Sequence, residues 1–430
     1  MKYQILILSA CLAITACSKK EPEPRAVEKG ALVMVGGSLS TSNAEVYQRF
    51  IELAGGPIQA RIAVIPAASG QPVRYYKQFK QDMVHYGLNE DQVTLFPIAV
   101  KDDRSTPDVD ESTWAQGGFN EELAASLDHY TAVWFLGGDQ LNITKTLAPE
   151  HQATPVLQAI QALYKRGGVV AGTSAGAAMM SDIMVAAGDS WNALTVGTTD
   201  SYAGMQDQEN GPLLLRSGLG FFRDGIIDQH FDRKARFGRL VVATQLHREF
   251  YPVGYGIDED AALVYYPESQ EIEALGYGGV TIIDVRDANK ISNPHGYHIE
   301  GVRISFIQGA DRYHVKEHRF IPNPLKSATV GAEYLDIAGP VVASGVFSRN
   351  SRLKDLIGFD LVDNKGTDEV VSYLHQGEGL GFTLRFRQDE RTQGYWEYLD
   401  GMKDNSSAAF VRLDIIPSRF SITELQPDNR

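Results

Sequence analysis

The chain has 430 residues, of which 54 are Asp or Glu and 40 are Lys or Arg, giving a formal net charge of −14. Binding along a nucleic-acid backbone rests on clustered Lys and Arg, so this balance excludes nucleic acid as the main partner to expect. Both cysteines, Cys11 and Cys17, lie near the N-terminus, so the body of the chain has no internal disulfide, thiol nucleophile or cysteine metal site.

The chain opens with one positive side chain, Lys2, and an apolar run from Ile5 to Ala16. That run is too short to span a bilayer, which takes about 20 residues, but it suits the h-region of a signal peptide. Ile14-Thr15-Ala16-Cys17 resembles a bacterial lipobox with Cys17 as the lipidated first mature residue; Leu8-Ser9-Ala10-Cys11 fits more loosely. Residues 1–16 are therefore expected to be a signal peptide, and the charged, proline-containing 17–29 a lipidated tether. Export follows, either as an outer-membrane lipoprotein or in secreted form. Contact with a membrane is expected only through that lipid.

From Gly30 the pattern changes. ALVMV (31–35) predicts a strand ending in Gly36-Gly37, 43–54 a helix, RIAVIP (61–66) a buried strand, and 76–87 a second helix closed by Gly87. VTLFPI (93–98) and TAVWFL (131–136) predict further strands, 154–168 a helix stopped by two glycines, and VVAG (169–172) another strand. Short strands that are apolar throughout and separated by helices imply an α/β fold, a parallel sheet covered on both faces. Residues 30–330 are expected to form this catalytic unit. From about 380 the pattern alternates, in 381–388, 393–399, 407–416 and 420–425. This predicts antiparallel β structure, and 331–430 are taken as a β-rich C-terminal domain. The stretch 368–377 fits a short helix or a strand equally.

The strongest local signal is Gly172-Thr173-Ser174-Ala175-Gly176, which follows a short buried strand and precedes a helix-forming AAMMSDIM. A G-x-S-x-G serine on a tight strand-to-helix turn presents Oγ above the sheet. The bare motif is common by composition, and a structural serine fits it too; the strand before it and the helix after it favour a nucleophile. Ala175 N–H is then a natural oxyanion donor at the start of that helix. Gly137-Gly138-Asp139-Gln140 repeats the design after 131–136. Its glycines let backbone approach a ligand, Asp139 suits a helix cap, and Gln140 can read an amide or carboxylate. A tight turn with no ligand contact fits the same residues.

The expected base is His230, in Asp228-Gln229-His230-Phe231 at the end of a short apolar strand, an edge where α/β sites gather. A helix bearing Arg233, Lys234, Arg236 and Arg239 is predicted to follow. Its cations suit either a solvated face or a carboxylate-binding patch. The run 253–266 predicts a strand, a turn and a strand, with Asp258, Glu259 and Asp260 at the break; spacing does not choose among the three as orienter of the imidazole. The order Ser, His, acid differs from that of α/β-hydrolases. No metal motif or nucleotide-binding glycine pattern occurs, and no cofactor is expected.

The set GGDQ (137–140), GTSAG (172–176), DQHFxxxxRxxRL (228–240) and GYGIDED (254–260) resembles the cyanophycinase group of S51 serine peptidases, relatives of the aspartyl dipeptidase peptidase E. The resemblance covers roughly residues 30–310. It implies a flavodoxin-like fold shared with class I glutamine amidotransferases, whose transferase chemistry is ruled out here by the missing thiol. It implies Ser174 as nucleophile, His230 as base and Glu259 as acid, with Gly138 and Ala175 holding the oxyanion. Gln140, Asp228, Gln229, Arg233, Lys234, Arg236 and Arg239 would bind substrate. The substrate implied is cyanophycin, a poly-aspartate bearing arginine on each β-carboxyl, cut to β-Asp-Arg dipeptides. A homodimer is implied as well. Related readings are an exopeptidase for aspartyl or isoaspartyl peptides and a non-catalytic envelope lipoprotein. One departure is Lys234, where the family usually has arginine; an arginine stands one place earlier, at Arg233. Lysine keeps the charge but loses the planar fork.

Overall fold

The computed structural model describes residues 30–339, 341–399, 403–421 and 423. The signal peptide and Cys17 expected from the sequence lie outside the described residues.

Five parallel strands build the core of a first sheet: β1 (Ala31–Val35), β2 (Ile62–Ile65), β3 (Val93–Leu95), β4 (Ala132–Phe135) and β5 (Val169–Thr173), in the order β3-β2-β4-β5-β1. β1, β2 and β4 are buried along their whole length. Their side chains alternate between faces, as a pleated strand requires. Val33 and Val35 join one core with Phe50 of the helix Ala44–Leu53 and Phe79 of the helix Pro72–His85. Leu32 and Met34 point into the other, with Leu157 and Ile160 of the helix Pro155–Lys165. Each such aliphatic chain contributes about 1.5–3 kcal/mol by leaving water. The uninterrupted apolar runs follow from this double coverage.

The chain then moves between two sheets. β6 (Ile183–Ala187) and β7 (Leu214–Ser217) form a small antiparallel pair. β8 (Ile226–Asp228) and β9 (Val253–Ile257) pair in parallel in a second sheet, while β10 (Ala261–Tyr266) and β11 (Glu271–Gly276) extend the first sheet antiparallel beyond β1. The turn 258–260 is thus a crossover between sheets. β12 (Val280–Asp284), β13 (Asn289–Ile291) and β14 (His298–Ile307) return to the second sheet, and β15 (Arg312–His314) and β16 (Arg319–Ile321) to the edge of the first.

The division expected at 330 does not separate two sheets. Ser407–Phe420 pairs with β14, Gly379–Arg387 pairs with Ser407–Phe420, and Glu369–His375 pairs with Gly379–Arg387. The ambiguous stretch 368–377 is thereby a strand. A buried network fastens the join: Lys326 Nζ donates to Asp311 Oδ2 and Ser407 Oγ, each at 2.8 Å.

Two local expectations need correction. After the serine the helix is one turn, Ala175–Ala178, and Ile183–Ala187 is strand rather than helix. A single turn carries little of the dipole expected there. After His230 the chain turns, with Ala235 at φ 56°, and the helix begins only at Phe237. Arg233, Lys234 and Arg236 therefore do not lie on it, and the shared helix face does not exist.

Candidate active site

The C-terminal end of β1 gathers three distant segments through consecutive carbonyls. Ser174 N donates to Val35 O at 2.9 Å, His230 N to Gly36 O at 2.6 Å, and Asp260 N to Gly37 O at 2.9 Å. β5 brings Ser174 alongside β1 from the same sheet; β8 brings His230 from the second sheet; the 258–260 crossover supplies the carboxylates. The sequence marked Gly36-Gly37 only as a strand end.

Ser174 has φ 54° and ψ −112°, a backbone conformation that L-residues avoid and that a nucleophile elbow imposes. The glycines of the motif make it possible by close approach. A Cβ on Gly172 would lie 2.6 Å from Gly176 O, and one on Gly176 would lie 2.5 Å from Phe135 O. Neither position has room for a side chain.

Ser174 Oγ lies 2.8 Å from His230 Nε2, and His230 Nδ1 lies 2.5 Å from Glu259 Oε1. With Nδ1 donating to the carboxylate, Nε2 keeps a lone pair aimed at the serine proton. Burial, and then the charges of Lys234 and Arg236, hold the imidazole well below its usual pKa. It is therefore neutral near pH 7, the state a base needs. Gly37 walls the ring on one side: at φ +114° it has no Cβ, and one placed there would lie 2.3–2.8 Å from three ring atoms. Any side chain at 37 would displace the imidazole.

Glu259 is the one of the three acids in contact with the imidazole. Asp258 faces Gly279 N at 3.2 Å, and burial followed by the charge of Asp232 raises its carboxyl well above the usual range. Asp260 Oδ1 accepts from Ser40 N and Asn43 Nδ2, each at 2.9 Å. The backbone of Glu259 is held in turn by Asp232, whose Oδ1 accepts Glu259 N at 3.0 Å. Asp232 sits in the same short run as His230, two positions on, and was not singled out.

Several residues expected at the substrate lie beneath the site instead. Asp228 is fully buried and takes two bonds from Arg239, Nε at 2.8 Å and Nη2 at 2.6 Å. Arg239 Nη1 also donates to Gly188 O at 2.6 Å and Gln208 O at 2.9 Å. Arg236 is buried, with Nη1 on Gln229 O at 2.8 Å. A cation buried this way must be satisfied from within the protein; Arg239 is, whereas Arg236, 3.7 Å from Asp228 Oδ1, keeps Nε without a hydrogen-bond partner among the described residues. Gln140 is also turned inward: Nε2 donates to Ala186 O at 2.8 Å and Oε1 accepts from Gln208 Nε2 at 3.2 Å. Gln229 alone of this group reaches the nucleophile, its Oε1 lying 3.3 Å from Ser174 Oγ. In the second glycine loop Asp139 caps the helix Gln140–Leu147, accepting Leu141 N at 3.0 Å. Gly137 is the glycine against Ser174, a Cβ there falling 3.1 Å from the serine Cβ; Gly138 packs on Ala68.

Beside Glu259 a cleft of about 460 Å³ opens, lined by Ser38, Glu209, Arg233, Lys234 and Arg349 as well. Lys234 pairs with Glu209 at 2.5 Å. Burial works against ionisation of Glu209, but the Lys234 bond and then the charges of Lys234, Arg236 and Arg349 hold its carboxyl below the usual range. Arg233 and Lys234 thus line the cleft. Glu209 and Arg349 had no signal in the local sequence.

The model of peptidase family S51 matches residues 31–272, more than half of the chain. The cyanophycinase of Trichormus variabilis is 28% identical over 309 residues, covering 70% of this chain and 90% of that protein. The cyanophycinase of Geminocystis herdmanii is 29% identical over 299 residues, covering 68% of this chain and 96% of that protein. Among solved structures, a peptidase from an acI-B1 Actinobacterium aligns with a TM-score of 0.42 at 20% identity, covering 60% of this chain and 91% of that one.

Proposed function

The chain belongs to peptidase family S51, and from that premise we propose that it is a cyanophycinase, a serine exopeptidase releasing β-Asp-Arg dipeptides from cyanophycin. The observation that carries the reading is the chain of contacts from Ser174 Oγ through the His230 ring to Glu259. The cyanophycinases among its relatives support the substrate.

In this mechanism Ser174 Oγ attacks the aspartyl carbonyl carbon while His230 Nε2 takes the hydroxyl proton. Glu259 stabilises the imidazolium that forms. The Ala175 and Gly138 N–H groups donate to the oxyanion, strengthening as charge develops. Collapse breaks the C–N bond, and the imidazolium proton passes to the leaving amine. Water then attacks the acyl-enzyme with His230 again as base, restoring Ser174.

Incubation with purified cyanophycin, with products followed by mass spectrometry, tests this. Release of β-Asp-Arg from the start, without mid-sized fragments, is the expected result. Cleavage of α-linked aspartyl dipeptides with the polymer left intact would replace the reading with that of an ordinary aspartyl exopeptidase. The leader supports a further proposal, export with a lipid on Cys17. The mass of the mature N-terminus should show that modification, and an unmodified chain starting beyond Cys17 would overturn it.

A further inference from the structure

The family model matches residues 31–272, and a part of the chain beyond them also reaches the cleft. Residues 345–352 form a loop whose base is fixed. Val346 and Phe347 are buried, and the Phe347 ring lies 4.8 Å from that of Phe237. Ser351 N donates to Asp232 O at 2.8 Å, and Ser351 Oγ to Val346 O at 2.8 Å. Asp232 is the residue whose carboxylate holds Glu259 N. One residue therefore anchors both the acid of the candidate triad and the loop carrying Arg349.

The charges of the cleft do not cancel. Lys234 is paired with Glu209, and the Glu259 carboxylate is turned to the neutral His230 ring, so three cations line the opening against two carboxylates. Arg233 and Arg349 have no hydrogen bond or ion pair among the described residues, and both line the same opening. Two guanidinium groups facing one cleft present planar forks suited to a carboxylate. Arg236 and Arg239 cannot take that part, because both are buried, Arg239 with its donors on Asp228 and backbone carbonyls and Arg236 with Nη1 on Gln229 O.

We infer that Arg349, supplied from outside the residues matched by the family model, acts with Arg233 to bind a substrate carboxylate beside the triad and so determines specificity. The identity of the ligand rests on the cyanophycinase reading above. Each unit of such a polymer carries a free carboxylate on its arginine, and the chain end carries another. A pair of arginines next to Glu259, one of them on a loop held at its base, would set how far a terminal unit enters the cleft.

The test is calorimetric binding of β-Asp-Arg dipeptide, and of its diamide, to the full protein and to Arg349→Ala. Arg349 is exposed, so the variant should fold, and an unchanged melting temperature checks this. Wild type should bind the dipeptide more tightly than the diamide. The variant should lose about ten- to a hundredfold in affinity for the dipeptide, the scale of charge-assisted hydrogen bonds, and little for the diamide. Arg349→Lys should fall between, keeping charge without the fork. No binding by wild type, no loss in the variant, or equal loss for both ligands would overturn the inference. Turnover of cyanophycin is measured separately, so failure of the polymer to react would sink the earlier reading while leaving this binding result to stand or fall alone.

Discussion

Ser174→Ala should leave the fold intact and lower turnover by about four to six powers of ten, the range seen when one member of a unit of this kind is removed. The physical basis is the 2.8 Å contact to His230 Nε2, which is useful only if Oγ is there to give up a proton. His230→Ala should be comparably severe. Glu259→Gln should cost less than either, yet more than Asp258→Asn or Asp260→Asn. Asp258 is buried in surroundings that already favour its neutral form, so an amide of the same shape changes little. Asp260 supports the 40–43 loop through Ser40 and Asn43 and has no part in proton transfer. Steady-state kinetics on the polymer decide this. Retained turnover in Ser174→Ala would remove the nucleophile assignment, and a larger loss at either aspartate would move the acid.

Arg239→Met should act on stability rather than on substrate binding. It removes two bonds to Asp228 and two to the carbonyls of Gly188 and Gln208, and leaves the Asp228 carboxylate fully buried. Breaking a buried pair costs about 3–5 kcal/mol, and Arg236, 3.7 Å from Asp228 Oδ1, holds the expected loss to the lower end of that range. Denaturant unfolding should show a loss of that size, with soluble protein retaining the Ser174–His230 contact. Asp228→Asn combined with Arg239→Met should recover only part of it, because the buried carboxylate goes with its bidentate partner while Arg236 loses its counter-charge at 3.7 Å. A change in KM with unaltered stability would return Arg239 to the substrate, where the family resemblance had put it.

That contrast shows where local reading ends. The apolar runs at 31–35, 61–66, 131–136 and 169–172 announce a doubly covered parallel sheet, because only strands buried on both faces have no need of polar alternation. Ser174 was legible for a similar reason: a backbone forced to φ 54° between a strand and a helix needs the small residues that surround it. His230 was legible from its place at the end of an apolar strand. Cationic residues close together, by contrast, look alike whether they face water, a ligand or a buried aspartate. Only the partners supplied by Asp228, Gly188 and Gln208 decide which, and those partners are brought together by folding.

The sequence by itself determined the elements that depend on near neighbours: the strand–helix alternation, the elbow and the strand-end histidine. Tertiary structure decided what depends on distant ones. It brought Ser174, His230 and the 258–260 crossover onto three successive carbonyls of β1's end, and so put Glu259, rather than Asp258 or Asp260, against the imidazole. It drew the chain beyond 330 into the second sheet and placed Arg349 at the cleft. The physical reason is that apolar periodicity and backbone strain act over a few residues, whereas the pairing of a charge is fixed by whichever group the packed sheets deliver to it.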